Sequence, residues 1–100
     1  MAADRDTICA LATGALPSAI ATIRLSGPAV TNIVEAALPG VVLKPRIATL
    51  VTLRSGSAEK IDAGLAIFMP EPASYTGEDT LELTLHGGPI IIELALNRFF

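Results

Sequence analysis

One hundred residues, just over half of them apolar and 17% charged, form one globular domain with a modest core and leave no room for a second. Ten acidic residues against seven basic ones give a net charge of −3 and a pI near 4.9. That balance excludes a fragment that grips a phosphate backbone by itself, and the single cysteine excludes an intrachain disulfide or a cysteine-based metal cluster.

The opening residues Met1 to Asp6 are charged and lead straight into a strand-like run, without the basic start and long apolar stretch of a signal peptide. Residues 7–13 and 19–26 read as two strands joined by Gly14-Ala15-Leu16-Pro17-Ser18, which has turn formers at both ends. Cys9, between Ile8 and Ala10-Leu11, reads as a buried and inert thiol. Gly27-Pro28 breaks the second strand, and Val30, Ile33, Val34, Ala37 and Leu38 then recur at helical spacing until Pro39-Gly40, with Pro28 suited to a first helical position. After Lys44-Pro45, two β-rich runs at 46–54 and 61–69 flank the polar segment Ser55 to Lys60, the clearest hairpin in the chain.

A loop from Pro70 to Asp79 precedes the cleanest alternation, in which Leu81, Leu83 and Leu85 interleave with Glu82, Thr84 and His86. Gly87-Gly88-Pro89 closes that strand and opens a helix with Ile91, Ile92, Ala95, Leu96 and Phe99 on one face. Ile90, Leu94 and Phe100 spread its apolar character further round, so the helix needs burial on more than one side. It also lacks a stop signal, and the chain reads as continuing past Phe100. The run from Gly87 to Leu96 contains Glu93 and falls far short of the ~20 residues that span a bilayer, so no membrane segment and a cytoplasmic protein are expected. With a mean hydropathy of +0.57, the chain carries more apolar surface than a monomer of this size readily buries, which calls for a partner or a further segment.

No glycine-rich loop followed by Lys and Ser or Thr is present, so the backbone cradle for nucleotide phosphates is missing. Gly87-Gly88 resembles such a loop only weakly, and a helix-start turn is the preferred reading. A lone His86 and a distant Cys9 make neither a nucleophile pair nor a metal site. Strand parity puts Arg24 opposite Ile23 and Leu25, and puts Glu82 on one face with Thr84 and His86. Two readings fit these residues: a surface ion pair of little energetic weight, or a ligand site in which the carboxylate accepts parallel N–H bonds from an aminopyrimidinone such as a pterin.

Several strings occur in order: Asp6-Thr7-Ile8, Ile23-Arg24-Leu25-Ser26-Gly27-Pro28, Leu43-Lys44-Pro45-Arg46, Ser74-Tyr75-Thr76-Gly77-Glu78-Asp79, and Glu82 with His86-Gly87-Gly88-Pro89. Together they resemble the amino-terminal domain of the TrmE/MnmE family of tRNA uridine-modification GTPases, from about Asp6 to Phe100. The resemblance implies an α+β domain over residues 1–100, a small mixed sheet of about five strands packed with two helices, similar to the folate-binding domain of glycine-cleavage T protein. It further implies a homodimer that holds 5-formyl- or 5,10-methylene-tetrahydrofolate near the subunit interface, with Arg24 and Glu82 contacting the folate. GTP, magnesium and potassium belong to a GTPase domain that this chain lacks, as it lacks the helical domain, and this fragment alone is expected to be non-catalytic. The whole protein is expected to modify the wobble uridine of tRNA at position five together with a GidA/MnmG-type flavoprotein.

One departure from the family is the segment Gly14 to Ala19, where relatives carry a proline-glycine-arginine-glycine-like turn. Tyr75 has two readings, a stacking partner for a ring or a loop anchor, and the anchor is preferred. Glu78 and Asp79 read as a turn or an interface contact, and His86 as a strand-end side chain bonded to backbone. Two rival functions stay open: a structural dimerisation domain without folate, and a stand-alone aminomethyltransferase-like domain.

Overall fold

The computed structural model describes residues 7–12, 18–74 and 77–99. Five strands form one sheet: β1 (Ile8–Leu11), β2 (Ser18–Ser26), β3 (Thr49–Arg54), β4 (Lys60–Met69) and β5 (Thr80–Gly87). Helix α1 (Val30–Ala37) follows β2, and α2 (Pro89–Phe99) follows β5. The spatial order is β1-β2-β5-β4-β3, and every neighbouring pair is antiparallel. The expected five strands and two helices are therefore all present. Their connection order places β5, the most regular alternation in the sequence, in the middle of the sheet.

The inner face carries Ile23 and Leu25 of β2, Leu81 and Leu83 of β5, Ala66 of β4 and Leu53 of β3, all fully buried. Val30, Ala37 and Leu38 at α1, and Ile92, Ala95 and Phe99 of α2, join the same core. Both helices therefore serve one face of the sheet. Burying each Leu or Ile side chain contributes roughly 1.5–3 kcal/mol, which is what holds two short helices that would be marginal in isolation. Residues of the opposite parity are left outside this core: Ile20, Leu50 and Leu65 are exposed, and Thr22, Arg24, Glu82 and Thr84 are half-buried.

The helix ends are held from outside. Ala29 precedes α1 without a side-chain cap of its own, and its N–H donates to Thr7 Oγ1 at 2.8 Å, tying the start of β1 to the helix. Pro28 lies in the turn before the helix instead of at its first position; Pro89 does head α2. At the far end, Arg98 donates to the Arg54 carbonyl at 3.0 Å and to the Ala36 carbonyl at 2.8 Å, so one guanidinium joins α2, α1 and the end of β3. β3 begins at Thr49 and not at residue 46, because the chain turns through Lys44–Ile47: Ile47 N–H bonds the Lys44 carbonyl, Arg46 adopts φ 63°, and its N–H reaches the Phe68 carbonyl at 2.8 Å.

Gly64 marks an irregularity that the sequence pattern hides within an apolar strand. The β4–β5 register runs from Met69↔Thr80 to Leu65↔Thr84 and stops there. A Cβ at Gly64 would lie 2.1 Å from the Thr84 carbonyl oxygen and 2.9 Å from Leu85 Cδ2. The obstacle is backbone, which cannot rotate away. Gly64→Ala should therefore destabilise the fold by roughly 1–3 kcal/mol, as overpacking does, whereas Gly56→Ala, with nothing within 4 Å of its Cβ, should change stability by less than about 0.5 kcal/mol. Urea unfolding of the two variants side by side checks this; equal midpoints would show that the strands separate freely at Gly64.

Candidate functional site

Arg24 and Glu82 are direct cross-strand partners on the two central strands. The period-two pattern that turns Ile23, Leu25, Leu81 and Leu83 inward turns these two outward together. Arg24 Nε donates to Glu82 Oε2 at 3.0 Å, and Nη2 of the same guanidinium reaches the same oxygen. The side chains are 38% and 20% exposed. The ion pair that strand parity allowed is thus formed, and it converges on one carboxylate oxygen instead of matching both. A pair this exposed contributes about 0–1 kcal/mol to stability. Next to it, the Thr22 and Thr84 hydroxyls share a hydrogen bond of 3.2 Å.

An open hollow of ≈ 390 Å³ adjoins Arg24, bounded by Ile8, Ala10 and Leu11 of β1, by Ser26, and by Glu78. Ser26 Oγ donates to Glu78 Oε2 at 3.2 Å, which brings the loop before β5 to the rim of the hollow. That loop is braced internally. Ser74 Oγ and Thr80 Oγ1 both donate to the Glu78 carbonyl, and Asp79 Oδ1 accepts the Glu71 N–H at 2.9 Å. Glu78 and Asp79 therefore part company: one carboxylate faces the hollow and the other holds the loop. Tyr75, Thr76 and the segment Gly14 to Pro17 lie outside the described residues.

A second charged pair sits further along the same strands. His86 is expected from sequence to bond backbone at the end of its strand; instead its ring Nδ1 lies 2.9 Å from Asp62 Oδ2 and 3.0 Å from Oδ1, and its backbone N–H donates to Oδ2 at 2.9 Å. The cause is the irregularity at Gly64, beyond which β4 no longer offers a register partner and Asp62 supplies the acceptor. The Asp62 side chain is 11% exposed and the His86 side chain 71%. Burial alone would raise the Asp62 carboxyl, but hydrogen bonds from the His86 N–H, the His86 ring and the Ala63 N–H, with the charge of His86, outweigh it and hold the carboxyl below its usual range. Sequence reading missed Asp62. Its signal is that it is the one charged residue inside the apolar run Ile61 to Met69.

Cys9 pairs with Leu25 and packs against the core, and burial pushes its thiol up to about 11, so it is a protonated, unreactive group at neutral pH. Among the described residues no three His, Cys, Asp or Glu side chains converge as metal ligands, and no helix is long and apolar enough to cross a membrane.

Residues 7–100 match the family model described as GTP-binding protein TrmE N-terminus. The chain is 53% identical over 94 residues to the tRNA modification GTPase MnmE of Hyphomonas neptunium, covering 94% of this chain and 21% of that protein. It is 46% identical over 93 residues to the protein of the same name in Rhizobium meliloti, covering 93% and 21%. Against that of Azorhizobium caulinodans it is 47% identical over 97 residues, covering 96% and 22%. The chain thus spans about a fifth of the length of these relatives.

The Asp62 geometry sets a pH dependence of stability. A carboxyl held below its unfolded value of about 3.9 stabilises the fold above that pH, and the contribution is lost as the pH falls through the folded value. Asp62→Ala, which strands the His86 N–H, should cost about 1–3 kcal/mol at pH 7. The gap between variant and parent in urea unfolding should then shrink below about pH 4. A gap that stays constant from pH 7 to pH 3 would mean that the Asp62 charge plays no part.

Proposed function

Because the chain belongs to the family of the GTP-binding protein TrmE N-terminus, we propose that it is the tetrahydrofolate-binding and homodimerising domain of a GTPase that modifies the wobble uridine of tRNA at position five. The observation that carries the folate reading is the Arg24–Glu82 pair, set outward on the two central strands beside an open hollow. The bonds between the two side chains end on one oxygen of Glu82, which leaves the other carboxylate oxygen for an N–H donor of a ligand. A pterin presents adjacent ring and amino N–H groups that suit a carboxylate, and the guanidinium suits a carbonyl or anionic group beside it. Opening or sharing the pair costs little, since an exposed ion pair contributes at most about 1 kcal/mol. Ile8 and Ala10 supply apolar floor for the ring.

In this reading 5-formyl- or 5,10-methylene-tetrahydrofolate supplies the one-carbon unit, and Arg24 and Glu82 bind and orient it. GTP hydrolysis, with magnesium and potassium, belongs to the rest of the protein, as do most contacts with tRNA and a GidA/MnmG-type flavoprotein. The acidic balance of this domain fits that division. Self-association is supported by the exposed apolar side chains Ile20, Leu50 and Leu65 on the sheet and Ile90 and Leu94 on α2.

A second reading has its own observation. The ion pair already gives each charge an opposite partner within the domain, as a purely structural dimerisation domain would require. Arg24→Ala and Glu82→Ala in the full-length protein separate the two. As a folate site, each should weaken 5-formyltetrahydrofolate binding by roughly tenfold to more than a hundredfold, the loss of one charge-assisted hydrogen bond, with less than about 1 kcal/mol change in stability. Isothermal titration and thermal unfolding measure both quantities. Unchanged folate affinity in both variants would leave the structural reading standing.

A further inference from the structure

The helix-free face of the sheet carries a polar strip longer than the Arg24–Glu82 pair. In register along β2 and β5 come Arg24↔Glu82, Thr22↔Thr84 and Ile20↔His86. Beside it, Leu65 pairs with Thr84, Ile67 with Glu82, and Leu50 with Leu65, which makes an apolar lane along the same face. An open hollow lies at the His86 end of the lane, lined by Ile20, Leu50, Leu65 and His86 among others. Four residues of strand separate Glu82 from His86, about 13–14 Å at roughly 3.4 Å per residue.

At that far end the His86 ring is held in place. Its Nδ1 meets the carboxylate of Asp62, itself 11% exposed, while the imidazole is 71% exposed. No protein group is recorded on Nε2 among the described residues. With Nδ1 turned to Asp62, Nε2 is directed away from it, and the imidazolium then has one N–H on Asp62 and one to give. The charged groups around it are few. Asp62 faces it from β4, Ile20 opposite on β2 is uncharged, Glu82 and Arg24 along the strip are paired with each other, and Lys60 lies two residues from Asp62 on β4.

We propose that His86, positioned by Asp62, is a second anchor of the ligand site and binds the carboxylate tail of a reduced folate whose pterin lies at Glu82. The inference rests on the folate reading of Arg24 and Glu82. An elongated ligand with a pterin at one end, an aromatic ring in the middle and carboxylates at the other matches the order of the face: carboxylate, apolar lane, imidazolium. Arg24 is engaged at the pterin end, so His86 is the group on the strip that can answer an anion at the other. His86 is the binding residue; Asp62 is a positioning residue that acts through it.

The test compares 5-formyltetrahydrofolate with its tail diamide, in which both carboxylates are replaced by neutral amides, on the full-length protein. His86→Gln should weaken the carboxylate ligand roughly tenfold or more and leave the diamide unchanged. Asp62→Asn, which keeps an acceptor oxygen for the His86 N–H and so guards against loss of the fold, should reduce the preference for the carboxylate ligand over the diamide. Three results would overturn the proposal. Equal weakening of both ligands by His86→Gln would make the residue structural. Unchanged affinity in His86→Gln, with Glu82→Ala losing both ligands, would leave the pterin site intact and remove the tail anchor. Failure of the parent protein to bind either ligand would remove the site and the anchor with it.

Discussion

The pairing of β2 with β5 fixes both what the domain buries and what it displays. Side chains alternate with a period of two, so a single register turns Ile23 and Leu25 inward against Leu81 and Leu83 and turns Thr22 and Arg24 outward against Thr84 and Glu82. A slip of β2 by one residue would bury Arg24 and expose Ile23 and Leu25. The apolar half of the pair contributes several kcal/mol of burial, while the outward ion pair contributes about 1 kcal/mol at most. The core therefore chooses the register, and the site inherits its geometry. This division lets the outward residues serve a ligand without the fold depending on them.

Gly64 and Asp62 show the same logic where the sheet departs from regularity. The close approach of β4 to the Thr84 carbonyl excludes a side chain at Gly64, and beyond that point the β4–β5 register ends. The His86 N–H would then lack a β4 backbone acceptor, and a backbone donor left unpaired within a sheet is unfavourable. The Asp62 carboxylate fills the gap and takes the His86 ring with it. A repair of the backbone ladder thus also fixes the direction of an exposed imidazole. One structural requirement produces both effects.

Much of this was legible in the chain because it depends on local pattern. The alternation from Leu81 to His86, the helical spacing around Val30 to Ala37, and the polar break between β3 and β4 each follow from neighbours in sequence, and all three are found. Parity also placed Arg24 and Glu82 on polar faces. That they stand directly opposite each other could not be read, because β5 inserts between β2 and β4 and the pair lies 58 positions apart in the chain with no register information between. Asp62 and His86 are 24 residues apart and meet through an irregularity whose only mark in the sequence is a glycine in an apolar run. β3 starts later than its β-rich composition suggests because Arg46 adopts a left-handed conformation that composition does not reveal. Local periodicity fixes elements and faces; contacts across non-consecutive strands need the topology.

The helices explain why the functional face is the one it is. Both contribute to the core on the inner side, where Arg98 joins the end of α2 to the last turn of α1 and the end of β3. On that side the helices cover the inward side chains of the sheet, which are buried. The outer side keeps its strands half-covered, with Ile20, Leu50 and Leu65 exposed alongside a strip of hydrogen-bonding groups. Exposed apolar side chains beside ordered polar ones cost solvation unless something covers them. A ligand with an aromatic middle and polar ends, or a subunit laid over it, relieves that cost by the same contacts that give it affinity. The surplus of apolar residues visible in the composition is thus the counterpart of a sheet left open on one side.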